Sequence, residues 1–378
     1  MISAPREAPA GRPGVSAAAH PVVVIAEAGV NHNGSLERAL GMIDAAAAAG
    51  ADFVKFQTFR ASELASARAP KAAYQLAQTD AAQSQLEMLR QLELSEADHA
   101  ALWAHAARRT IGMLSTPFDL PSLTLLTRRL GIQLLKVPSG EITNGPFLLE
   151  VARTGRDVIL STGMSTLEEV AAALAVLAFG YTEASRGGVP GAADFARAYA
   201  SAAGHDALLQ KVRLLQCTSE YPAPFAEINL LAMDTLADAF GLPVGLSDHS
   251  AGTHVAVAAV ARGARIIEKH FTLDRTLPGP DHAASVEPQE LAAMVRQIRE
   301  VEAALGDGIK RPGESESRNR PVARKYLVAT RQIAAGEAFS AGNVGCKRCG
   351  GGLSPMDYWS VLGRAASRDF EPDDPITL

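Results

Sequence analysis

Between Val22 and Thr272, short apolar runs rich in β-branched residues alternate about eight times with longer Ala- and Leu-rich segments of helical period. No other feature constrains the fold as strongly. A run that is apolar at every position suits a strand covered on both faces, and helices returning between such strands give a parallel sheet of βα units. Strands are expected at Val22–Val30, Phe53–Thr58, Ile111–Phe118, Gln133–Gly140, Asp157–Met164, Val212–Ser219, Pro243–Ser250 and Ala264–Thr272. Eight such units close a (β/α)8 TIM barrel; an open doubly wound sheet is the weaker alternative.

The helical intervals carry their own punctuation. Ser35–Gly50 begins on a Ser cap and ends at Gly, Ser165–Phe179 pairs a Ser cap with Glu168 at the capping-box position, and Glu287–Leu305 is the last helix. Two intervals are long, Ala61–Arg109 and Gly180–Lys211, and the Gly/Pro/Ser head of the second reads as a surface insertion. Such inserts can wall a substrate site. Residues 1–20, rich in Ala, Pro and Gly, read as a disordered tail that lacks the apolar core of a signal peptide. Residues 21–305 form the expected barrel domain and 306–323 a charged, Gly/Pro-containing linker. Residues 324–378 form a small β-rich module, marginal alone.

Composition excludes several function classes. With 378 residues, 47% hydrophobic and 20% charged, the chain is a globular protein with ample apolar surface to bury, and its net charge of -5 offers no basic field for nucleic acid or an anionic membrane. No apolar tract is long enough for a membrane span. Three cysteines cannot build a disulfide framework, which points to the cytoplasm. Cys217, inside an apolar run, reads as a small core residue. Cys346-x-x-Cys349 lacks the second pair or nearby His that a zinc site needs.

In a TIM barrel the chemistry sits at the C-terminal ends of the strands, and nearly every strand here ends in polar residues: IAEAGVNHNG, VKFQTF, LSTPFD, KVPSGEITN, LSTGMS, QCTSEYP, GLSDHS and EKHFTLD. His249 and His270 close strands seven and eight, neighbours in a closed barrel, so their imidazoles can share one divalent metal. Two nitrogen ligands leave positions open for substrate oxygens and water, which suits Mn²⁺ or Mg²⁺ better than zinc. His32 is expected to shape the NHNG loop. Lys55 and Lys136, with Ser139, Ser161, Thr162 and Ser219, can clasp a phosphate and a carboxylate, the two anions of phosphoenolpyruvate. Ion pairing with Glu27 or Glu141 is the rival role for either lysine, and the two are compatible. Glu141, after a PSG turn, is the first candidate for general acid/base work, with Glu27 and Lys136 beside it; Glu27, Glu268 and Asp281 can orient sugar hydroxyls and amides.

These strand ends, with CTSEYPAPF, EKHFTLDRTLPGPDHAAS and GGGLSPMDYW in the tail, resemble the sialic acid synthase family, which makes N-acetylneuraminate, legionaminate or pseudaminate. The resemblance spans roughly residues 22–378. It implies a TIM barrel followed by an SAF (antifreeze-like) domain in a domain-swapped homodimer, each tail capping the partner's site. The implied reaction is a metal-dependent condensation of phosphoenolpyruvate with N-acetylmannosamine or a related sugar, giving a nonulosonic acid and phosphate. The alternatives are a legionaminic or pseudaminic acid synthase using a 2,4-diacetamido-2,4,6-trideoxyhexose, and another phosphoenolpyruvate–aldehyde synthase. Carried over by motif, His249 and His270 hold the metal, and Lys55, Lys136, Ser139, Ser161 and Ser219 contact phosphoenolpyruvate. Glu27, Gln57, Tyr221, Glu268 and Asp281 line the sugar pocket, Glu141 stands beside the reacting centre, and Arg348 is donated by the partner's SAF domain. Two departures stand out: KRCGGG replaces the usual KRPGxG, so Cys349 stands where a proline stiffens the loop of Arg348, and Ser219 stands where some neuraminate-making members carry Asn.

Overall fold

Eight parallel strands form one sheet: β1 (Val23–Gly29), β2 (Phe53–Thr58), β3 (Gly112–Pro117), β4 (Leu134–Val137), β5 (Asp157–Ser161), β6 (Val212–Cys217), β7 (Val244–Asp248) and β8 (Ile266–His270). Their order is β3-β2-β1-β8-β7-β6-β5-β4, and β3 and β4 touch at the seam without a ladder between them. The barrel expected from the alternating pattern is therefore the observed fold. A computed structural model describes residues 21–80, 82–183 and 189–378. The expected tail at 1–20 and part of the Gly/Pro/Ser head of the second insertion lie outside the described residues.

The strands are shorter at their C-terminal ends than the apolar runs suggest, because the terminal polar residues leave the ladder to form the mouth. Parity along each strand then sorts the core into two layers. Ile25, Leu114, Ile159, Leu215 and Ile266, with Val23, Phe53 and Leu134, pack inside the barrel. The alternate residues, among them Val24, Val54, Leu135, Leu160, Leu214, Leu246 and Ile267, face the surrounding helices in the larger core.

Helix starts follow side-chain caps. Ser35 accepts from the Arg38 amide and opens the helix Leu36–Ala48. The helix expected from Ser165 instead runs Leu167–Thr182 with Thr166 as cap. Thr166 Oγ1 accepts from the Glu169 amide while Glu169 accepts from the Thr166 amide, so the reciprocal pair sits one residue later than Ser165 and Glu168. Ser165 Oγ turns to the Gly163 carbonyl. The interval after β2 folds into the helices Ala61–Leu64, Ala73–Gln78, Gln85–Leu92 and Glu96–Arg108, and the last barrel helix is Pro288–Leu305. Among the described residues no helix is long and apolar enough to cross a membrane.

One buried ion pair staples the last two strands. Lys269 Nζ lies 2.9 Å from Asp248 Oδ2 with both side chains sealed from solvent, and it also donates to the Ser250 carbonyl at 2.5 Å. Asp248 Oδ1 accepts from the Ser250 amide and hydroxyl. Asp248 and Lys269 are partners in the ladder, and each directly precedes one of the two histidines. Lys269→Met leaves the carboxylate buried without its cation, so unfolding stability is expected to drop by roughly 3–5 kcal/mol. Denaturant unfolding measures it; a loss below about 1 kcal/mol contradicts the staple.

The chain divides into two compact units, Met1–Asp307 and Gly308–Leu378. The stretch read as an irregular linker contains a helix, Glu314–Ala323, with no buried residue; its Glu-rich first turn and basic last turn favour it electrostatically, which an apolar period could not reveal. In the second unit β9 (Tyr326–Ala329) pairs antiparallel with β10 (Val344–Lys347) over a small core of Leu327, Ile333, Phe339, Val361, Phe370 and Ile376. Cys346 and Cys349 are free thiols there, and Arg348 is exposed beside them.

Candidate active site

The inward apolar layer of the barrel ends abruptly. Two residues beyond Ile25, Phe53, Leu114, Leu134, Ile159, Leu215 and Ile266 the same face carries Glu27, Lys55, Thr116, Lys136, Ser161, Cys217 and Glu268. Because side chains alternate strictly, seven strands turn from apolar to polar at one level, and that level is the floor of a cavity of about 440 Å³. Gln57, Ser139, Ser219, Tyr221, Ser247, His249, His270 and Asp281 stand around it.

Glu268 is the centre of the charge network. Its Oε1 lies 3.4 Å from Lys136 Nζ and accepts from Ser247 Oγ at 2.8 Å, while its Oε2 lies 3.6 Å from Lys55 Nζ. Lys55 is also 2.9 Å from Glu27 Oε2 and donates to Thr116 Oγ1 at 3.1 Å. All four ionisable groups are buried. Burial alone would raise the Glu268 pKa, but Lys136 and Lys55 outweigh it and hold the group below the ordinary carboxylate range. Glu27, buried and facing the charge of Glu268, is pushed upward. Burial would lower Lys55, yet Glu268 and Glu27 raise it, whereas burial prevails at Lys136 and lowers it. Both ammonium groups thus face one cavity with fewer firm negative charges than carboxylates, which leaves room for an anion.

His249 and His270 stand side by side, ring centroids 5.4 Å apart, with Tyr221 stacked 4.3 Å from the first and edge-on at 5.3 Å to the second. The Nδ1 of His249 lies 2.6 Å from the Thr218 carbonyl and must donate to it; burial lowers its pKa to about 4, so Nε2 carries a lone pair. The nearest group, Ser247 Oγ at 3.2 Å, spends its proton on Glu268. His270 is held well below its usual range by burial and by His249, and its buried Nδ1 makes no hydrogen bond, Asp281 Oδ2 being 3.8 Å away. Burial raises Asp281 to about 6. Two neutral imidazoles with uncommitted nitrogens fit a divalent cation. Among the described residues no group of three or more His, Cys, Asp or Glu side chains is arranged to hold one.

A second cradle lies across the cavity. A Cβ built on Gly163 would come within 2.5 Å of Ser219 Oγ, 2.7 Å of Cys217 Sγ and 2.8 Å of Ser139 Oγ, so only glycine lets these groups converge. Ser139 Oγ accepts from the Gly163 amide at 3.0 Å, and Ser161 Oγ is buried without a hydrogen-bond partner. At β1, Gly29 has φ +54° and its missing side chain would meet Glu27, Gln57 and His270.

Most residues singled out in the sequence are brought together here, but four are placed otherwise. Glu141 does not line the cavity: on the turn Ser139–Glu141 it is half-buried, accepting from Asn144 Nδ2 at 2.6 Å. Thr162 turns away to the Leu215 carbonyl. Cys217, expected in the core, lines the cavity 3.0 Å from Ser139 Oγ, since it is the last residue of β6 and shares the parity of Leu215. Arg348 belongs to the second unit. Thr116 and Ser247 went unnoticed, although each falls two residues beyond an inward position, the one signal that finds them. His32 shapes its loop as expected, its Nδ1 accepting from the Gly34 amide.

An eight-stranded parallel barrel that collects buried lysines, carboxylates and imidazoles in one cavity at its strands' C-terminal ends has the build of a barrel enzyme. Residues 42–310 match the model of the NeuB family and residues 324–378 that of the SAF domain. The chain is 48% identical to an N,N'-diacetyllegionaminic acid synthase of Campylobacter jejuni, across 94% of this chain and 98% of that protein. It is 42% identical to the enzyme of the same name from Legionella pneumophila, across 92% and 91%. A crystal structure of an N-acetylneuraminic acid synthetase from Leptospira borgpetersenii superposes with a TM-score of 0.64 at 33% identity, covering 80% of this chain and 90% of that one. The chain belongs to the NeuB family.

Proposed function

We propose that this protein condenses phosphoenolpyruvate, with water, and a 2-acetamido mannose-type sugar to a nonulosonic acid and phosphate, water adding at carbon two as phosphate leaves, and that the sugar is 2,4-diacetamido-2,4,6-trideoxymannose, giving a legionaminic acid. The observation that carries the reaction is the convergence of two buried ammonium groups and two neutral imidazoles on one cavity. The choice of sugar rests on the identity to the two diacetyllegionaminic acid synthases.

Lys55 and Lys136 supply the charge that holds the phosphate and carboxylate of phosphoenolpyruvate, with Ser139, Ser161 and Ser219 donating to its oxygens. His249 and His270 would hold Mn²⁺ or Mg²⁺, which when bound polarises the sugar's aldehyde. Gln57, Tyr221, Glu268 and Asp281 orient the sugar's hydroxyl and acetamido groups. Glu27, raised by burial, is suited to exchange a proton with the sugar, and Lys136, lowered by burial, to give one to a departing oxygen. Glu141 acts as acid/base only if its carboxylate leaves Asn144 for the cavity. In that case Glu141→Gln binds phosphoenolpyruvate normally while kcat falls by about 10²-fold or more, and a near wild-type kcat removes it from the chemistry. Arg348 reaches the sugar from the partner's SAF domain in a swapped homodimer. Three free cysteines and a substrate of central metabolism suit a reaction in the cytoplasm.

Phosphate release is the test. Turnover of phosphoenolpyruvate is expected with the diacetamido sugar, more weakly with N-acetylmannosamine, and not with erythrose 4-phosphate or arabinose 5-phosphate. Activity confined to a phosphorylated aldose overturns the reading.

A further inference from the structure

The cavity is not polar on every side. Val30 past the end of β1, Phe118 past β3, and Leu64, Met88, Leu89 and Leu92 from the helices that follow β2 make an apolar wall, while the same helices also bring the uncharged Gln75 and Gln85 to the cavity. Val30, Phe59, Met88 and Leu92 pack as a small core behind it, with Leu64, Leu89 and Phe118 laid against that core. The wall is therefore held from behind. Leu64 and Leu89 are half-buried and keep part of their surface for whatever fills the cavity.

Position decides what that is. The two imidazoles stand on the β7 and β8 side and the serine cradle on the β4 to β6 side, so an aldehyde beside the imidazoles and an anion between the lysines use the polar part of the cavity. The remaining direction runs past Glu27 and Gln57 on β1 and β2 to the apolar wall. That direction is the one left for the far carbon of a sugar whose aldehyde lies beside the imidazoles.

Resting on the function proposed above, we infer that this wall, Leu64 and Leu89 foremost, receives the terminal carbon of the sugar and selects a methyl group over a hydroxymethyl group. A terminal hydroxyl set against two leucine side chains would lose its water without gaining a partner. An apolar pocket discriminates against an added hydroxyl by about 10²-fold in kcat/KM. The helical insertion after β2 is then the specificity element of the barrel, distinct from the strand ends that carry the reacting groups.

The experiment compares two sugars with the same acetamido groups, one ending in CH3 and one in CH2OH, by steady-state phosphate release. The wild-type enzyme is expected to favour the methyl sugar by about 10²-fold in kcat/KM. Leu89→Asn and Leu64→Asn are each expected to shrink that preference about tenfold, while KM for phosphoenolpyruvate stays at its wild-type value and the variants remain folded. Equal kcat/KM for both sugars in the wild type overturns the inference without touching the reaction itself. So does a preference unchanged in both variants. Absence of phosphate release with either sugar instead sinks the function on which the inference rests, and the inference with it.

Discussion

In His249→Ala and in His270→Ala, phosphate release from phosphoenolpyruvate and the amino sugar is expected to fall by roughly 10³-fold, the scale of a lost Lewis acid worth several kcal/mol. The basis is the pair of neutral rings, 5.4 Å apart, with the His249 Nε2 lone pair and the unbonded His270 Nδ1 both uncommitted. A buried nitrogen without a partner is costly, and a cation is the partner that both can share. The direct readout is binding: titration with Mn²⁺ followed by electron paramagnetic resonance should show one tight site in the wild type and none in either variant. The role is wrong if His270→Ala, stripped of metal, turns over at the wild-type rate, or if both variants bind Mn²⁺ as the parent does.

Lys136→Met is expected to cost roughly 10²-fold or more in kcat/KM for phosphoenolpyruvate, mostly as a raised KM. Two effects add. The cavity loses one of the two cations that face the anion, and Glu268 loses the nearer partner of its Oε1 after Ser247, so its carboxylate becomes a repulsive neighbour. Replacing Lys55 leaves both Glu27 and Glu268 without that cation, so Lys136 is the cleaner probe of anion binding. Saturation curves in phosphoenolpyruvate at fixed sugar settle it: an unchanged KM together with an unchanged kcat assigns Lys136 to structure alone.

The NHNG loop, the eight strands and the polar strand ends were legible because each depends on local pattern. Lys55, Lys136, His249 and His270 could be picked out because an ionisable residue closing an apolar run has little reason to be there except at a barrel mouth. Residues whose role depends on a neighbour's register were not. Cys217 differs from a core residue only by standing one parity step above Leu215, at the level where the other inward positions have turned polar. Glu141 looked poised for chemistry, yet the turn Ser139–Glu141 aims its carboxylate at Asn144. Glu268 read as a sugar contact, and its second relation, the bridge to both lysines, has no sign in the sequence.

What this chain's sequence determined alone is the alternation of apolar strand and amphipathic helix, and with it the barrel and the strand ends where reactive side chains collect. Both follow from periodicity, which each segment carries without reference to any other. Tertiary structure decided which ends meet. Ladder register set Glu27 against Lys55 and Ser247 against Glu268, and the return of the helices after β2 laid an apolar wall over one side of the cavity. Those relations join residues tens or hundreds of positions apart, and burial, ion pairing and imidazole tautomers arise only once the chain has closed around them.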